Sequence, residues 1–203
     1  VPQITKITPQ KSKKRVNIYL DHKFGFGLDL ENYLKLGLKV EQDLSEKEIA
    51  EIVKKAEYQK TLDKLLLFSS LRPRSEREVA NWFWRKKVHQ SLHNKLIKKL
   101  KKLEILDDSK FASWWVKQRL EFKNKSKREL ISELYSKGID KNTIEDVLSN
   151  FKVDDEKAAK KLISKKMYKW EKYELGVKNR KIGEYLSRKG FSWDVIKKII
   201  KRD

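Results

Sequence analysis

The sequence predicts a mainly α fold: tandem three-helix repeats in an elongated, curved body, with a small N-terminal β-hairpin or three-strand element. Three observations predict it. Apolar residues recur at helical spacing from about Leu30 onward, whereas period-two alternation is confined to the first thirty residues. Gly (7) and Pro (3) are scarce among 203 residues, which favours long helices and disfavours a turn-rich β fold. The chain also matches itself. Residues 128–139 align with 180–191 at an offset of 52, placing Leu134 on Leu186, Lys137 on Lys189 and Gly138 on Gly190. In the same register Ile144, Val147 and Leu148 fall on Ile196, Ile199 and Ile200. A weaker first copy lies at offset 51, with Ser75, Arg77, Glu78, Val79 and Phe83 on Ser126, Arg128, Glu129, Leu130 and Leu134. Residues 107–112 match 154–159 at offset 47, so the third copy carries about five extra residues before Arg180.

Each element has its own signal. Residues 3–8 alternate, 11–14 form a basic turn, and 15–20 alternate through Val16, Ile18 and Leu20. Asp21-His22-Lys23 reads as a tight turn. Residues 24–28 make a third strand, whose glycines predict a bulge or close packing. So small a sheet is marginal alone and should lean on the next helix. That helix, 46–71, opens at the capping box Ser45-Glu46-Lys47-Glu48 and stops at Arg72-Pro73-Arg74. Further boxes stand at Ser75–Glu78 and Ser126–Glu129, and Asp107 and Asp154 are N-caps. In each unit an Asp opens the first helix. A Ser or Asn opens the second, which ends at Lys-Gly, where Gly138 and Gly190 supply a left-handed residue. The third helix carries the Ile/Val/Leu stripe. The divisions are 1–44 (β-rich element), 45–106 (first repeat with a lead-in helix), 107–153 and 154–203 (second and third repeats).

Charge narrows the partner. The net charge is +21, yet residues 1–50 hold nine Lys/Arg against seven Asp/Glu, so +19 falls on residues 51–203. Residues 82–102 contain eight basic side chains and no acid. Such a field attracts polyanions, by counterion release when the partner is nucleic acid. With no Cys, the chain has neither disulfides nor a thiolate metal site, and a reducing cytoplasm is the expected compartment. No apolar run approaches the roughly 20 residues of a membrane span. Val1-Pro2-Gln3-Ile4 is neither a signal nor a transit peptide, and without an initiator Met the chain is expected to be trimmed there.

Enzymatic readings find little support. The pairs Asp107-Asp108 and Asp154-Asp155 have the chemistry for Mg²⁺, but both stand at helix starts, where carboxylates cap free amides. His89 and His93 are four apart, without an intervening Glu or a third ligand. No catalytic triad order or phosphate loop is present, so no catalytic residue, metal or cofactor is assigned. Within Trp82/Trp84 and Trp114/Trp115, one member should pack and the other lie near a surface. Beside Arg85, Lys86, Lys87, Lys117 and Arg119, the outer ring either stacks on single-stranded bases, anchors a protein, or is plain core.

At three stretches the chain resembles the RecX family, regulators of the RecA recombinase: residues 72–78 (Arg-Pro-Arg-Ser-Glu-Arg-Glu), 106–112 (Leu-Asp-Asp-Ser-Lys-Phe-Ala) and 134–139 (Leu-Tyr-Ser-Lys-Gly-Ile). Their order and spacing, across roughly residues 58–203, carry the likeness. The resemblance implies three tandem three-helix repeats without catalysis. It also implies binding along the groove of the RecA filament on single-stranded DNA, and suppression of ATPase, strand exchange and coprotease activity. A monomer with possible direct DNA-phosphate contacts is expected. The chain departs from the pattern at Lys87, where the other copies have glycine, in its aromatic pairs, and in its pI of about 9.9. Candidate contacts, chosen by charge and repeat position, are Arg72, Arg74, Arg77, Arg85, Lys86, Lys87, Arg119, Lys127, Arg128, Arg180, Arg188 and Lys189. Arg77, Arg128 and Arg180 share one column and equally suit intra-repeat ion pairs. The alternative is a general binder of single- or double-stranded DNA, of helix-turn-helix-like type. In it Lys197, Lys198, Lys201 and Arg202 would touch phosphates only.

Overall fold

The structure is a computed structural model, and residues 1–11 and 13–200 are described. In chain order the elements are β1 (Ile4–Pro9), β2 (Arg15–Leu20), β3 (Lys23–Asp29), α1 (Leu30–Leu36), α2 (Glu46–Ser70), α3 (Glu76–Arg85), α4 (Gln90–Lys102), α5 (Asp108–Phe122), α6 (Lys127–Ser136), α7 (Lys141–Ser149), α8 (Asp155–Ser164), a 3₁₀ turn (Met167–Lys169), α9 (Leu175–Arg188) and α10 (Trp193–Ile200). The fold is thus mainly α, with three-helix repeats behind a small sheet. The chain divides into two compact units, Val1–Arg72 with Val88–Lys99, and Pro73–Lys87 with Leu100–Asp203. Lys201 and Arg202 lie outside the described residues.

In the first unit β1, β2 and β3 pair antiparallel in that order. Asp21 and His22 both take positive φ (46° and 63°), which matches the twist of the β2–β3 hairpin. Ile18 faces Phe26 while Tyr19 faces Phe24, so Gly25 is the extra residue of a bulge, as the glycine pattern anticipated. Alternation sends Ile4, Val16, Ile18, Phe26 and Leu28 to one face, where Ile52 and Ala56 of α2 help close a core with Leu38 and Leu44. The sheet therefore leans on α2 as its size requires. α2 starts on a complete capping box. Ser45 Oγ accepts the Glu48 amide, and the Glu48 carboxylate accepts the Ser45 amide at 2.8 Å.

In the second unit the repeat is visible in the packing. Val79, Leu130 and Ile182 occupy one buried column; Phe83, Leu134 and Leu186 occupy the next. Phe111 and Ala112 of α5 and Ala158 and Ala159 of α8 are buried at the positions their alignment assigns. The second and third copies each close a cluster: α5, α6 and α7 around Leu130, Leu134 and Ile144, and α8, α9 and α10 around Ile182, Leu186 and Ile196. One expectation needs correction. The second helix of the third copy begins at Leu175, after the 3₁₀ turn, so Asn179 lies inside α9 instead of opening it. The extra residues of this copy lengthen the helix backward. Its N-cap, Glu174, makes no side-chain cap bond.

The second helices end alike. Gly138 and Gly190 take φ of 85° and 75°, and Lys87, the residue that breaks the glycine pattern, takes φ 51°. The left-handed stop survives the loss of its glycine, at a cost. Lys87→Gly is therefore expected to stabilise the protein by about 1 kcal/mol, since the side chain is exposed and only backbone strain is relieved. A raised urea midpoint at unchanged slope checks this; an unchanged or lowered midpoint contradicts it.

Candidate functional site

Two successive junctions between repeats are built from the same side chains. Ser75 Oγ accepts the Glu78 amide as a cap and donates to the Lys137 carbonyl at 2.8 Å, the end of the next copy's second helix. Ser126 repeats this with the Glu129 amide and, at 2.7 Å, the Lys189 carbonyl. Both serines are fully buried, so one hydroxyl satisfies two backbone groups with no access to water. The second Asp of each pair completes the joint. Asp108 Oδ1 accepts the Glu76 amide at 2.8 Å, and Asp155 Oδ1 accepts the Lys127 amide at 2.9 Å. The first Asp of each pair caps its own helix, Asp107 for the Ser109 and Lys110 amides and Asp154 for the Lys157 amide. Burial raises the Asp108 and Asp155 carboxyls above the ordinary value of 3.8, and the accepted amides only partly offset it. All four carboxylates thus have a backbone task.

An ion-pair ladder runs alongside. Lys137 Nζ meets Glu78 Oε1 at 2.7 Å and lies 4.7 Å over the Trp115 ring. The Arg119 guanidinium lies 4.1 Å over the same ring and meets Glu133 Oε2 at 2.7 Å. Trp115 Nε1 donates to that oxygen at 2.8 Å. Lys125 Nζ bridges Glu133 (3.1 Å) and Glu129 (3.0 Å), and Lys189 Nζ stands 3.9 Å from Glu129. Burial alone would raise the Glu133 carboxyl; the bonds from Arg119, Lys125 and Trp115 outweigh it and hold the group below its usual 4.5.

The sequence-derived candidates fall into distinct settings. Arg119 is paired within this ladder, whereas Lys189, 39% exposed, stands at its end, 3.9 Å from a Glu129 that Lys125 also holds. The Arg77 stem closes on Gly138, and its Nη1 donates weakly to the Tyr135 carbonyl at 3.4 Å. Arg128 packs on Gly190 in the same way. Among the described residues the ion-pair option for this column is met in Arg180 alone, which stands 4.0 Å from Glu184 at the opposite end of a helical turn. Arg72 and Arg74 are half-buried on the connection before α3, where Arg74 bridges to Leu106. Arg85, Lys86, Lys87, Lys127, Arg128 and Arg188 are exposed. The structure gathers Arg85, Lys86 and Lys87 at the end of α3 beside Trp84, whose indole is 82% exposed while Trp82 is buried. That pair divides as expected. Trp114 and Trp115 do not: both are half-buried against the core of the second copy, because stacked cations and Glu133 cover the outer ring.

His89 and His93 make local bonds. His89 Nδ1 accepts the Ser91 amide at the start of α4, and His93 Nε2 pairs with the Val88 carbonyl. No group of three metal-ligating side chains occurs among the described residues, and no described helix is long and apolar enough to cross a membrane.

The chain is similar to known proteins over its whole length. The family model described as Regulatory protein RecX N-terminal domain matches residues 2–45; the RecX second and third three-helix domains match 107–148 and 154–200. Regulatory protein RecX of Bacillus licheniformis is 38% identical over 97% of this chain and 75% of its own length. Its namesake in Bacillus subtilis is 34% identical over the same shares. A crystal structure of regulatory protein RecX superimposes with a TM-score of 0.74 at 28% identity, covering all of both chains. RecX from Lactobacillus salivarius superimposes at 0.62 and 26% identity, over 72% of this chain and 96% of that one.

Proposed function

This chain belongs to the RecX family of regulatory proteins, and from that premise we propose that it acts without catalysis on the RecA–DNA filament. The observation that supports this reading is the duplicated junction. Ser75–Lys137 and Ser126–Lys189 join successive copies through the same atoms, so cations at equivalent positions recur in a fixed register. A partner that itself repeats, such as a protein filament on a polyanion, suits such a surface better than a single short operator. The protein would bridge neighbouring protomers of the filament as a cytoplasmic monomer. Bridging would hold them in one geometry, slowing ATP hydrolysis and strand exchange, and occupancy of the groove would exclude coprotease substrates. Arg85, Lys86, Lys87, Lys127, Arg128 and Arg188 are the proposed contacts, with Arg72, Arg74, Arg77 and Arg180 at their margins.

Added to RecA, single-stranded DNA and ATP, the protein is expected to lower the ATPase rate at substoichiometric to stoichiometric ratios. An unchanged rate at saturating protein overturns the reading. The second reading, a general DNA binder, rests on the net charge of +21 and on exposed Trp84. It is favoured if affinity for bare DNA falls steeply with salt and RecA coating adds nothing.

A further inference from the structure

The first unit holds a cationic groove that lies away from the repeat junctions. It has a volume of about 420 Å³, within the range of small-ligand sites, and is walled by α2 and the start of α4, with Asn32 of α1 at its edge. Lys54 and Lys55 approach from α2 and Lys95 from α4, against one carboxylate, Glu51. Among the described residues no ion pair claims any of the three lysines; the Lys95 ammonium rests 4.7 Å over the Tyr58 ring, which forms part of the wall. Gln59 of α2 and, in the first turn of α4, Ser91 and Leu92 complete the lining. That turn carries no acidic residue, and although His89 Nδ1 accepts the Ser91 amide, the positive end of the helix dipole adds to the lysine field, which Glu51 offsets only in part. All three lysines are exposed side chains lining one groove against a single carboxylate, so their mutual repulsion is screened by water but the groove keeps a net positive charge. An anion with several oxygens matches that charge, and Lys, a compact point charge with rotatable donors, suits phosphate.

We propose that this groove is a phosphate site, taking the phosphate groups of a nucleotide or of a single-stranded nucleic-acid backbone. The inference goes beyond the filament reading and does not depend on it. The ring of Tyr58 holds Lys95 over the cavity; Lys54 and Lys95 face the ligand from opposite walls.

The test uses the full chain and a fluorescein-labelled oligothymidylate of about a dozen nucleotides, followed by anisotropy across a salt series. A Lys54→Gln/Lys95→Gln variant is expected to bind about tenfold more weakly, with the salt slope reduced by about 1.4, the value for two lost phosphate contacts on a single strand. The comparison variant is Lys160→Gln/Lys161→Gln, which removes the same charge from exposed positions on α8. It is expected to change affinity less than about twofold. A calorimetric titration with ATP separates the sources. ATP binding lost in Lys54→Gln/Lys95→Gln, while both variants bind the oligonucleotide alike, assigns the groove to free nucleotide. Equal behaviour of the two variants toward both ligands overturns the site. Melting curves of both variants confirm folding, and RecA ATPase inhibition, measured in parallel, reports on the filament reading separately.

Discussion

Gly138→Val is expected to destabilise the second unit by about 3 kcal/mol, the sum of a left-handed β-branched residue and an overpacked joint. The residue has φ 85°, and a Cβ there would stand 2.7 Å from Arg77 Cβ. Arg77 Cβ is fixed to the backbone of α3, so it yields only if α3 moves away from the end of α6. Such a shift would also stretch the Ser75 Oγ bond to the Lys137 carbonyl. Gly190→Val should cost less, about 2 kcal/mol, because its Cβ would meet Ser126 Oγ at 3.0 Å and Arg128 Cβ only at 3.5 Å. Urea unfolding ranks the two. Equal losses would mean that backbone conformation alone sets the cost, and no loss at Gly138 would sink the rigid joint.

The same position shows where sequence reasoning reaches and where it stops. Glycine after the helix-ending lysine was legible as a left-handed stop, because that inference needs only local chemistry. The stem of Arg77 lying against it was not, since no periodicity links residues so far apart in sequence. Ser75 and Ser126 were legible as caps; their second bonds, to carbonyls 62 and 63 residues away, had no local signal. The Asp pairs did carry one. A single carboxylate suffices to cap a helix, so a second, repeated at offset 47, was surplus, and the surplus member proves to cap the preceding copy. The start of α9 was misplaced because an insertion has no counterpart to align with. Arg119 looked like surface charge, yet it follows Trp115 by one helical turn and pairs with a carboxylate on another helix. The lysines of the groove went unremarked among many others, because convergence of α2 and α4 is a tertiary fact.

Glu133→Gln is the sharper probe of that hidden ladder. Near neutral pH it is expected to cost about 2 kcal/mol, below the figure for a fully buried pair because water still reaches the side chains. The substitution strips the counter-charge from Arg119 and Lys125 and leaves one acceptor for three donors, the third being Trp115 Nε1. The carboxyl is held below 4.5 in the folded protein, so its contribution is present above that value and lost as pH falls through the lowered one. Asp108 and Asp155 act in the opposite sense. Their carboxyls are raised above 3.8, so ionising them costs stability as pH climbs from that value through the raised ones. These two groups are common to wild type and variant and cancel in the difference. The gap between the two urea midpoints should therefore be wide near neutrality and close well below pH 4.5. A gap of constant width would mean that Glu133 acts through packing, and the ladder would lose its central charge. A gap that closes makes Arg119 a brace between α5 and α6, held by the charge of Glu133.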